Sequence, residues 1–240
     1  MSDVVAARHL HQARTLRLRA LLGRRARQAG LALLAALVLR GLVYEPYLIP
    51  SASMQPALKR GDYIFVAKWP YGFGRHVLPL SPTLPGSPLP RLFPRLPDRG
   101  DMIVLKSPRD NRTDLVKRVI GLPGDLVAIH GGRIVLNNMP VPRRPGRQPG
   151  HVIETLPDSR NITILDPSPG AMADFGPVRV PADHLFLLGD NRQASIDSRW
   201  SPAENGLGMV PFGHVVGRAD RIIMSVNSNG LQADRIGQTL

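Results

Sequence analysis

The sequence predicts a mainly β fold with one apolar segment near the N-terminus, and three observations support this prediction. Proline and glycine, 24 and 23 of the 240 residues, favour a turn-rich body. Short apolar runs follow Gly-Asp pairs, as in 61–69 and 100–106, which is typical of a turn leading into a strand. A third run, 29–39, contains no polar side chain.

The strand predictions come from short apolar runs that turn residues bound on both sides. Directly after the Gly-Asp pairs we predict strands over 63–69 and 102–106. Further strands are predicted over 115–120, 126–129, 133–136, 151–155, 161–165, 185–188 and 220–226. The proline-rich stretches 70–98 and 140–181 predict an extended surface excursion and part of an inserted segment, because proline disfavours regular helices and central strands.

Composition excludes several classes of site. The chain has no cysteine, which rules out disulfide scaffolds, thiolate nucleophiles, zinc fingers and iron–sulfur clusters. The net charge of +13 suggests a nucleic-acid partner, but its distribution argues against one. Residues 1–28 contain seven arginines and one aspartate, so about half of the excess positive charge lies in a short arm that precedes the apolar run. Beside such a run, a basic arm indicates membrane topology.

The apolar segment 29–46 has three interpretations. Its apolar part, residues 29–44, is sixteen residues long and is interrupted by Arg40, so it is shorter than the ~20 residues that span a bilayer. A single transmembrane helix fits if Arg40 extends toward the interface and Tyr44 and Tyr47 form an aromatic belt. A cleaved secretory signal and a buried helix are the alternatives, but the segment has neither a convincing cleavage site nor a polar face. We favour the anchor, with residues 1–28 cytoplasmic and the chain beyond about residue 45 outside.

The common sequence motifs for metal binding, serine hydrolases and nucleotide binding are missing. The seven histidines are scattered, and no H-E-x-x-H, G-x-S-x-G or Walker motif is present. We therefore predict no metal and no cofactor. A Ser-His-Asp triad stays open, because its members need not be neighbours in the sequence.

Three polar segments could carry chemistry, although each alone has an ordinary structural explanation. Residues 49–56, IPSASMQP, place Ser51 and Ser53 in a rigid loop between prolines. Residues 114–125 place Lys117 in an apolar strand pattern. Residues 189–199, GDNRQASIDSR, form a polar loop after an apolar strand. Small-residue loops, edge lysines and hairpin tips are the alternatives.

In combination, these segments resemble the bacterial type I signal peptidases, membrane-anchored serine proteases that remove signal peptides from exported proteins. The resemblance covers 30–72, 98–130 and 181–225, with the blocks IPSASM, RGDYIFV, RGDMIVLK, KRVIGLPGD, GDNR-x-x-S-x-DSR and VGRA in order. The chain departs from the family pattern at Ala52, where glycine is commoner, and at Gln193-Ala194, where Asp-Asn is frequent. It also lacks the cysteine pair of some members.

The resemblance implies a catalytic role for four residues. Ser53 would be the nucleophile and Lys117 the general base. Ser195 would orient the lysine amine, and the Ser51 hydroxyl would form the oxyanion hole with the Ser53 backbone N–H. A lysine with its ordinary pKa of about 10.4 is protonated at neutral pH, so the role requires burial among apolar residues to lower that pKa.

The resemblance also implies supporting and substrate-binding residues. Asp197 and Arg199 would form a buried ion pair under the loop of Ser195, and Asp190 would be a second structural carboxylate there. Pockets for small residues of an extended substrate would be lined by Ile49, Met54, Leu58, Ile64, Val104, Leu115 and Val116.

The sequence as a whole predicts a mainly antiparallel, coiled or barrel-like β-sheet body with one N-terminal transmembrane helix. Its parts are a basic cytoplasmic arm (1–28), the anchor (29–46), a catalytic β domain (47–130 and 183–240) and an inserted small β subdomain (131–182). The expected function is cleavage of preprotein signal peptides after small-x-small sites by a monomer at the outer face of the bacterial inner membrane. The expected partners are preproteins and the lipid bilayer, and nucleic acid is not one of them. The alternatives are a related Ser–Lys processing protease and a basic, membrane-tethered binding module without enzymatic activity.

Overall fold

The computed structural model describes residues 21–37, 41, 43–76, 91–165 and 174–240. The chain divides into two compact units, Met1–Gly41 and Leu42–Leu240. In the first unit, residues 21–37 are helical. Over the described ranges, no helix has both the length and the apolar character needed to cross a membrane.

Several sequence predictions fall partly on residues outside the described ranges. They are most of the basic arm (1–20), part of the anchor (38–40 and 42), half of the proline-rich excursion (77–90) and part of the inserted segment (166–173).

The second unit is built from short strands. In chain order they are β1 (Tyr44–Leu48), β2 (Asp62–Ala67), β3 (Met102–Lys106), β4 (Asp114–Gly121), β5 (Leu126–His130), β6 (Arg133–Leu136), β7 (Met139–Pro140), β8 (Arg143–Pro145), β9 (His151–Thr155), β10 (Asn161–Leu165), β11 (Phe175–Arg179), β12 (His184–Leu188), β13 (Val210–Pro211), β14 (Val215–Asn227) and β15 (Gly230–Leu231). Single 3-10 turns occur at Pro202–Glu204, Phe212–His214 and Ala233–Arg235.

The main sheet is antiparallel and curled. Its order is β1-β2-β14-β3-β4-β12-β13, and β15 also pairs with β14. The long strand β14 pairs with both β2 and β3, and its pairing register shifts along each of them. Bulges of this kind bend a strand and increase its twist, so the sheet curls into a half-barrel. The mainly β, antiparallel, coiled sheet that the sequence predicts is confirmed.

Two smaller sheets are formed by the chain between β4 and β12. One has the order β11-β5-β6-β7 and the other the order β10-β9-β8. All their pairings are antiparallel. Their shared core includes Ile134, Ile164 and Phe186, so side chains of the main sheet and of both smaller sheets pack into one cluster.

The first strand corrects the C-terminal boundary of the expected anchor. Residues 44–46 belong to β1, which pairs with β2 from Tyr44 opposite Ala67 to Leu48 opposite Tyr63. Pro46 can stand in β1 because β1 is an edge strand, where the N–H that proline lacks is not needed for a hydrogen bond to a neighbouring strand. Lys68 Nζ lies 2.7 Å from a carboxylate oxygen of Glu45 and fixes the end of the pair.

The main sheet is buried on both faces at β3. Along β3, Met102 and Val104 belong to one hydrophobic cluster, whereas Ile103 and Leu105 belong to another. Since successive side chains of a strand point to opposite faces, the uninterrupted apolar run in β3 is explained by two cores rather than one. β4 pairs with β3 and places Lys117 opposite Ile103.

Candidate active site

The loop between β1 and β2 presents two serines. Backbone hydrogen bonds from Ile49 N to the Asp62 carbonyl (2.8 Å) and from Gly61 N to the Ile49 carbonyl (2.9 Å) close its base. The buried Met54 anchors its middle in the core. Ser51 is exposed and Ser53 is half-buried, and their Oγ atoms lie 3.2 Å apart. The loop therefore holds both hydroxyls in place where a substrate can reach them.

Lys117 is buried and makes a side-chain hydrogen bond. It is 4% exposed, and its Nζ donates to Ser195 Oγ at 2.9 Å. Burial lowers the pKa of Lys117 to about 8, with a further lowering by Arg199, while Asp197 and Asp190 oppose the shift. The direction of this shift is the one that a role of Lys117 as a general base requires. About a tenth of such amines are neutral at pH 7, far more than for an ordinary lysine.

The loop that carries Ser195 rests on a buried ion pair. Arg199 Nε and Nη2 donate to the two carboxylate oxygens of Asp197 at 2.8 and 3.0 Å. The same carboxylate accepts from the backbone N–H of Gly189 at 3.1 Å. Arg199 also donates to the Ser195 carbonyl at 3.2 Å. The structure thus places Asp197 and Arg199 together as a buried ion pair, which ties both ends of the loop together.

Asp190 links this loop to the strand of the lysine. Arg118 follows Lys117 on β4, and its Nε and Nη2 donate to the two carboxylate oxygens of Asp190 at 2.7 and 2.6 Å. Both side chains are buried. A bidentate pair of this kind fixes distance and orientation together, so the loop and β4 are held in register. Asp190 thus pairs with a cation of the neighbouring strand.

Gly189 is where the two serine loops meet. A Cβ on this glycine would lie 2.3 Å from Ser195 Oγ and 2.5 Å from the Ser53 carbonyl oxygen. Asn191 also joins the loops, because its backbone N–H donates to the Ser53 carbonyl at 3.0 Å. Its side-chain amide donates to the Ala52 carbonyl at 3.3 Å. The structure thereby brings the backbone of Ser53 close to the hydroxyl that accepts from Lys117.

Most of the predicted pocket residues share one hydrophobic cluster. Its members include Ile49, Met54, Leu58, Ile64 and Val104, with Val116 packed against it. Leu115 packs instead against the cluster on the other side of β4, because neighbouring residues of a strand point to opposite faces.

Sequence reasoning missed the roles of Arg118 and Asn191. Both stand beside residues that the motifs single out, in KRVIGLPGD and GDNR. Their partners lie 72 residues away in one case and 139 in the other, so no local spacing could have paired them.

A cavity of about 950 Å³ is present in the second unit. It opens between the Ser53 loop and the three-stranded sheet, and Ala57, Met102, Arg144 and Arg147 are among the residues that line it. Ser53, Lys117 and Ser195 do not line it. In the ranges that the structure describes, no three His, Asp or Glu side chains are grouped so that they could hold a metal ion.

The fold and the site together point to a class of enzyme. A serine hydroxyl on a loop and a buried amine of lowered pKa are the two parts that a Ser–Lys hydrolase needs. The family described as "Signal peptidase, peptidase S26" matches residues 22–224. The chain belongs to this family.

Relatives and one solved structure carry the same description. A "Signal peptidase I" of Rickettsia typhi is 34% identical, with 79% of this chain and 75% of the relative covered. Another, of Pseudomonas fluorescens, is 35% identical, with 80% and 69% covered. The crystal structure of a signal peptidase I from Enterococcus faecalis V583 is 26% identical and covers 52% of this chain and 97% of its own, with a TM-score of 0.33.

Proposed function

We propose that this protein is a signal peptidase that cleaves N-terminal signal peptides from exported preproteins after small-x-small sites. Membership of the peptidase S26 family supports a peptidase activity, and the names of the relatives support the substrate class. The observation that carries the mechanism is the buried Lys117 amine, hydrogen-bonded to Ser195 beside the Ser53 loop.

In the proposed mechanism, Ser53 attacks the scissile carbonyl and the neutral amine of Lys117 accepts its proton. The resulting ammonium then gives the proton to the leaving amine nitrogen, which completes acylation of Ser53. Water then attacks the acyl carbon and gives a proton to the same amine, and the ammonium passes that proton to Ser53 Oγ as the acyl group leaves. The hydrogen bond to Ser195 supports this role, because it fixes the direction of the amine without removing its lone pair.

The Ser51 hydroxyl is the proposed donor to the oxyanion. Its Oγ lies 3.2 Å from Ser53 Oγ, on the exposed side of the loop, so it can reach an oxygen on the carbon that Ser53 attacks. The backbone N–H of Ser53 is the second proposed donor. Two fixed donors stabilise the charge that develops only in the transition state.

Preference for small substrate residues is proposed from the apolar cluster behind the serine loop. Ile49, Met54, Leu58, Ile64 and Val104 are all at most 3% exposed. Side chains packed this closely leave room for an alanine methyl group more readily than for a larger side chain. The substrate would bind as an extended strand, with alternate side chains entering the pockets that these residues and Val116 line.

Membrane anchoring is proposed from the sequence of the first unit. The basic arm 1–28 followed by the apolar run 29–39 is the pattern of a single span with a cytoplasmic N-terminus. The catalytic unit, whose first strand begins at Tyr44, would then lie on the outer side. This topology places the enzyme at the bilayer surface where exported preproteins emerge.

The test is cleavage of a preprotein by the detergent-solubilised protein, with the cut site identified by mass spectrometry. We expect one cut after a small-x-small sequence, and none with the Ser53→Ala variant. Absence of cleavage together with salt-sensitive binding to nucleic acid or anionic lipid would instead support the binding-module alternative.

A further inference from the structure

A buried carboxylate outside the motifs lies between two arginines. Glu154 is in β9, the middle strand of the three-stranded sheet, and has 0% exposure. Arg143 of β8 donates Nε and Nη2 to Glu154 Oε1 at 2.9 and 2.6 Å. Arg192 donates Nη1 to Oε1 at 3.1 Å and Nη2 to Oε2 at 2.5 Å. Burial opposes ionisation, but Arg192 and Arg143 lower the pKa of Glu154 and keep it charged.

Arg192 connects this carboxylate to the loop 189–199. Its Nε donates to the Gly189 carbonyl at 3.1 Å, and its own carbonyl accepts from Arg199 Nη2 at 2.7 Å. Arg199 is the partner of Asp197. Arg192, whose guanidinium Glu154 holds from outside, thus contacts the start of the loop through that guanidinium and the ion pair beneath Ser195 through its backbone carbonyl.

The three-stranded sheet also contacts the loop at a second point. Leu165 N, at the end of β10, donates to the Asp190 carbonyl at 3.1 Å. The backbone contact and the Glu154 ion pair come from neighbouring strands, so the sheet supports the loop at two points rather than at one. Removing Glu154 would leave the buried Arg192 charge without its carboxylate partner and would release that support.

We propose that Glu154 is a positioning residue of the peptidase, which acts through Arg192 to hold the loop 189–199 so that Ser195 stays on the Lys117 amine and keeps water from it. This inference rests on the proposed function.

The dependence of kcat/KM on pH distinguishes this role from a purely structural one. A residue that only stabilises the fold would leave the position of the acid limb unchanged. The groups that face Lys117 are Ser195, Asp197, Arg199 and Asp190, all from the supported loop, together with the apolar face of β3. Burial is the largest cause of the lowered lysine pKa. If the loop loosens, water reaches the amine and the pKa rises toward its ordinary value, so the acid limb of kcat/KM moves to higher pH.

The test compares Glu154→Gln with the wild-type full chain in detergent, using a preprotein substrate from pH 6 to 10. We expect the acid limb to move up by about one pH unit and kcat at pH 7 to fall about tenfold, with KM changed less than twofold. Circular dichroism and the melting temperature establish that the variant is folded.

Asp101→Asn is the matched control. Asp101 is also buried, and its partner Arg160, just before β10, lies 2.7 Å away, so this pair also joins the three-stranded sheet to the main sheet. Among the described residues, its side chain makes hydrogen bonds with Tyr71, Asp98 and Arg160 but not with the loop 189–199. We expect a lower melting temperature and an unmoved acid limb.

If Glu154→Gln does not fold, Arg192→Lys provides the second variant. It keeps a cation opposite Glu154 but loses the Nε contact with Gly189, so the acid limb should move in the same direction. An acid limb that matches wild type in a folded variant of either kind would overturn the inference. Failure of the wild-type protein to cleave any preprotein would overturn the proposed function instead.

Discussion

At the scale of single residues, the proposed chemistry depends on the protonation of Lys117. With its pKa lowered to about 8, the neutral amine increases with pH across the range around that value. kcat/KM should therefore rise with pH and level off above about pH 9. A pH–rate profile of the wild-type enzyme measures this limb directly, and a flat profile between pH 6 and 9 would contradict the assignment.

Replacement of Lys117 by arginine separates charge from basicity. Guanidinium keeps the positive charge at every usable pH and has no lone pair for the serine proton. We expect Lys117→Arg to lose essentially all activity, measured as single-turnover cleavage with excess enzyme. Substantial activity in this variant would show that the site needs a cation and not a base.

The two serines of the first loop should differ in what their loss does. Ser53→Ala removes the proposed nucleophile and should abolish cleavage. Ser51→Ala removes one proposed donor to the oxyanion, so kcat should fall about 10²–10³-fold while KM changes little. Ser228 is exposed, so Ser228→Ala is the control, and its kcat and KM should match those of the wild type. An unchanged kcat for Ser51→Ala would mean that its hydroxyl does not face the oxyanion.

At the scale of strands and loops, sequence patterns predicted the strands that combine apolar residues with flanking turns. All nine predicted strands are present within a few residues, among them β3 and β9. β1, β8 and β11 were missed because each contains a proline, which argues against a strand except at an edge or a bulge. Tertiary pairing places all three at sheet edges and also gives β11 a register shift.

The junction of the two serine loops makes Gly189 a sensitive position. An added methyl group would lie within 2.5 Å of both Ser195 Oγ and the Ser53 carbonyl, and one of these is rigid backbone. We expect Gly189→Ala to lower kcat at least 10²-fold in steady-state assays, because a displacement of about 1 Å at reacting groups has an effect of that size.

Gly213→Ala serves as the matched control, since nothing lies within 4 Å of the Cβ that it would add. It should retain wild-type activity and a similar melting temperature. Wild-type kcat in a folded Gly189→Ala variant would show that the two serine loops do not need their close approach.

At the scale of the whole molecule, the site depends on contacts that no local pattern encodes. The motifs placed Ser53, Lys117 and Ser195 in separate segments, and only the resemblance to a family joined them. The pair of Arg118 with Asp190 and that of Arg192 with Glu154 span 72 and 38 residues. Their partners are ordinary charged residues in sequence, so only the folded sheets show which of them meet.

The division of the chain predicts which truncation folds. A chain that starts at Leu42 keeps β1, including the Glu45–Lys68 ion pair, and should fold with cooperative unfolding. A chain that starts at Ile49 lacks β1, so it exposes the edge of β2 and the half-exposed Phe65. We expect the shorter form to melt at a lower temperature and to aggregate, as measured by thermal unfolding and light scattering. Equal melting temperatures would show that β1 does not support the sheet.

The buried Lys117 also has a consequence for how stable an active molecule can be. Its pKa is about 8 in the folded chain and 10.5 when exposed, so the folded state binds fewer protons between these values and stability rises with pH across that window. Below pH 8 the amine is charged in both states, and burying that charge lowers the free energy of unfolding by its full amount, about 3 kcal/mol. We expect the inactive Lys117→Met variant to melt several degrees above wild type at pH 7, with the difference shrinking toward pH 10. Selection for heat resistance alone would therefore remove the very group to which we assign the proton transfer.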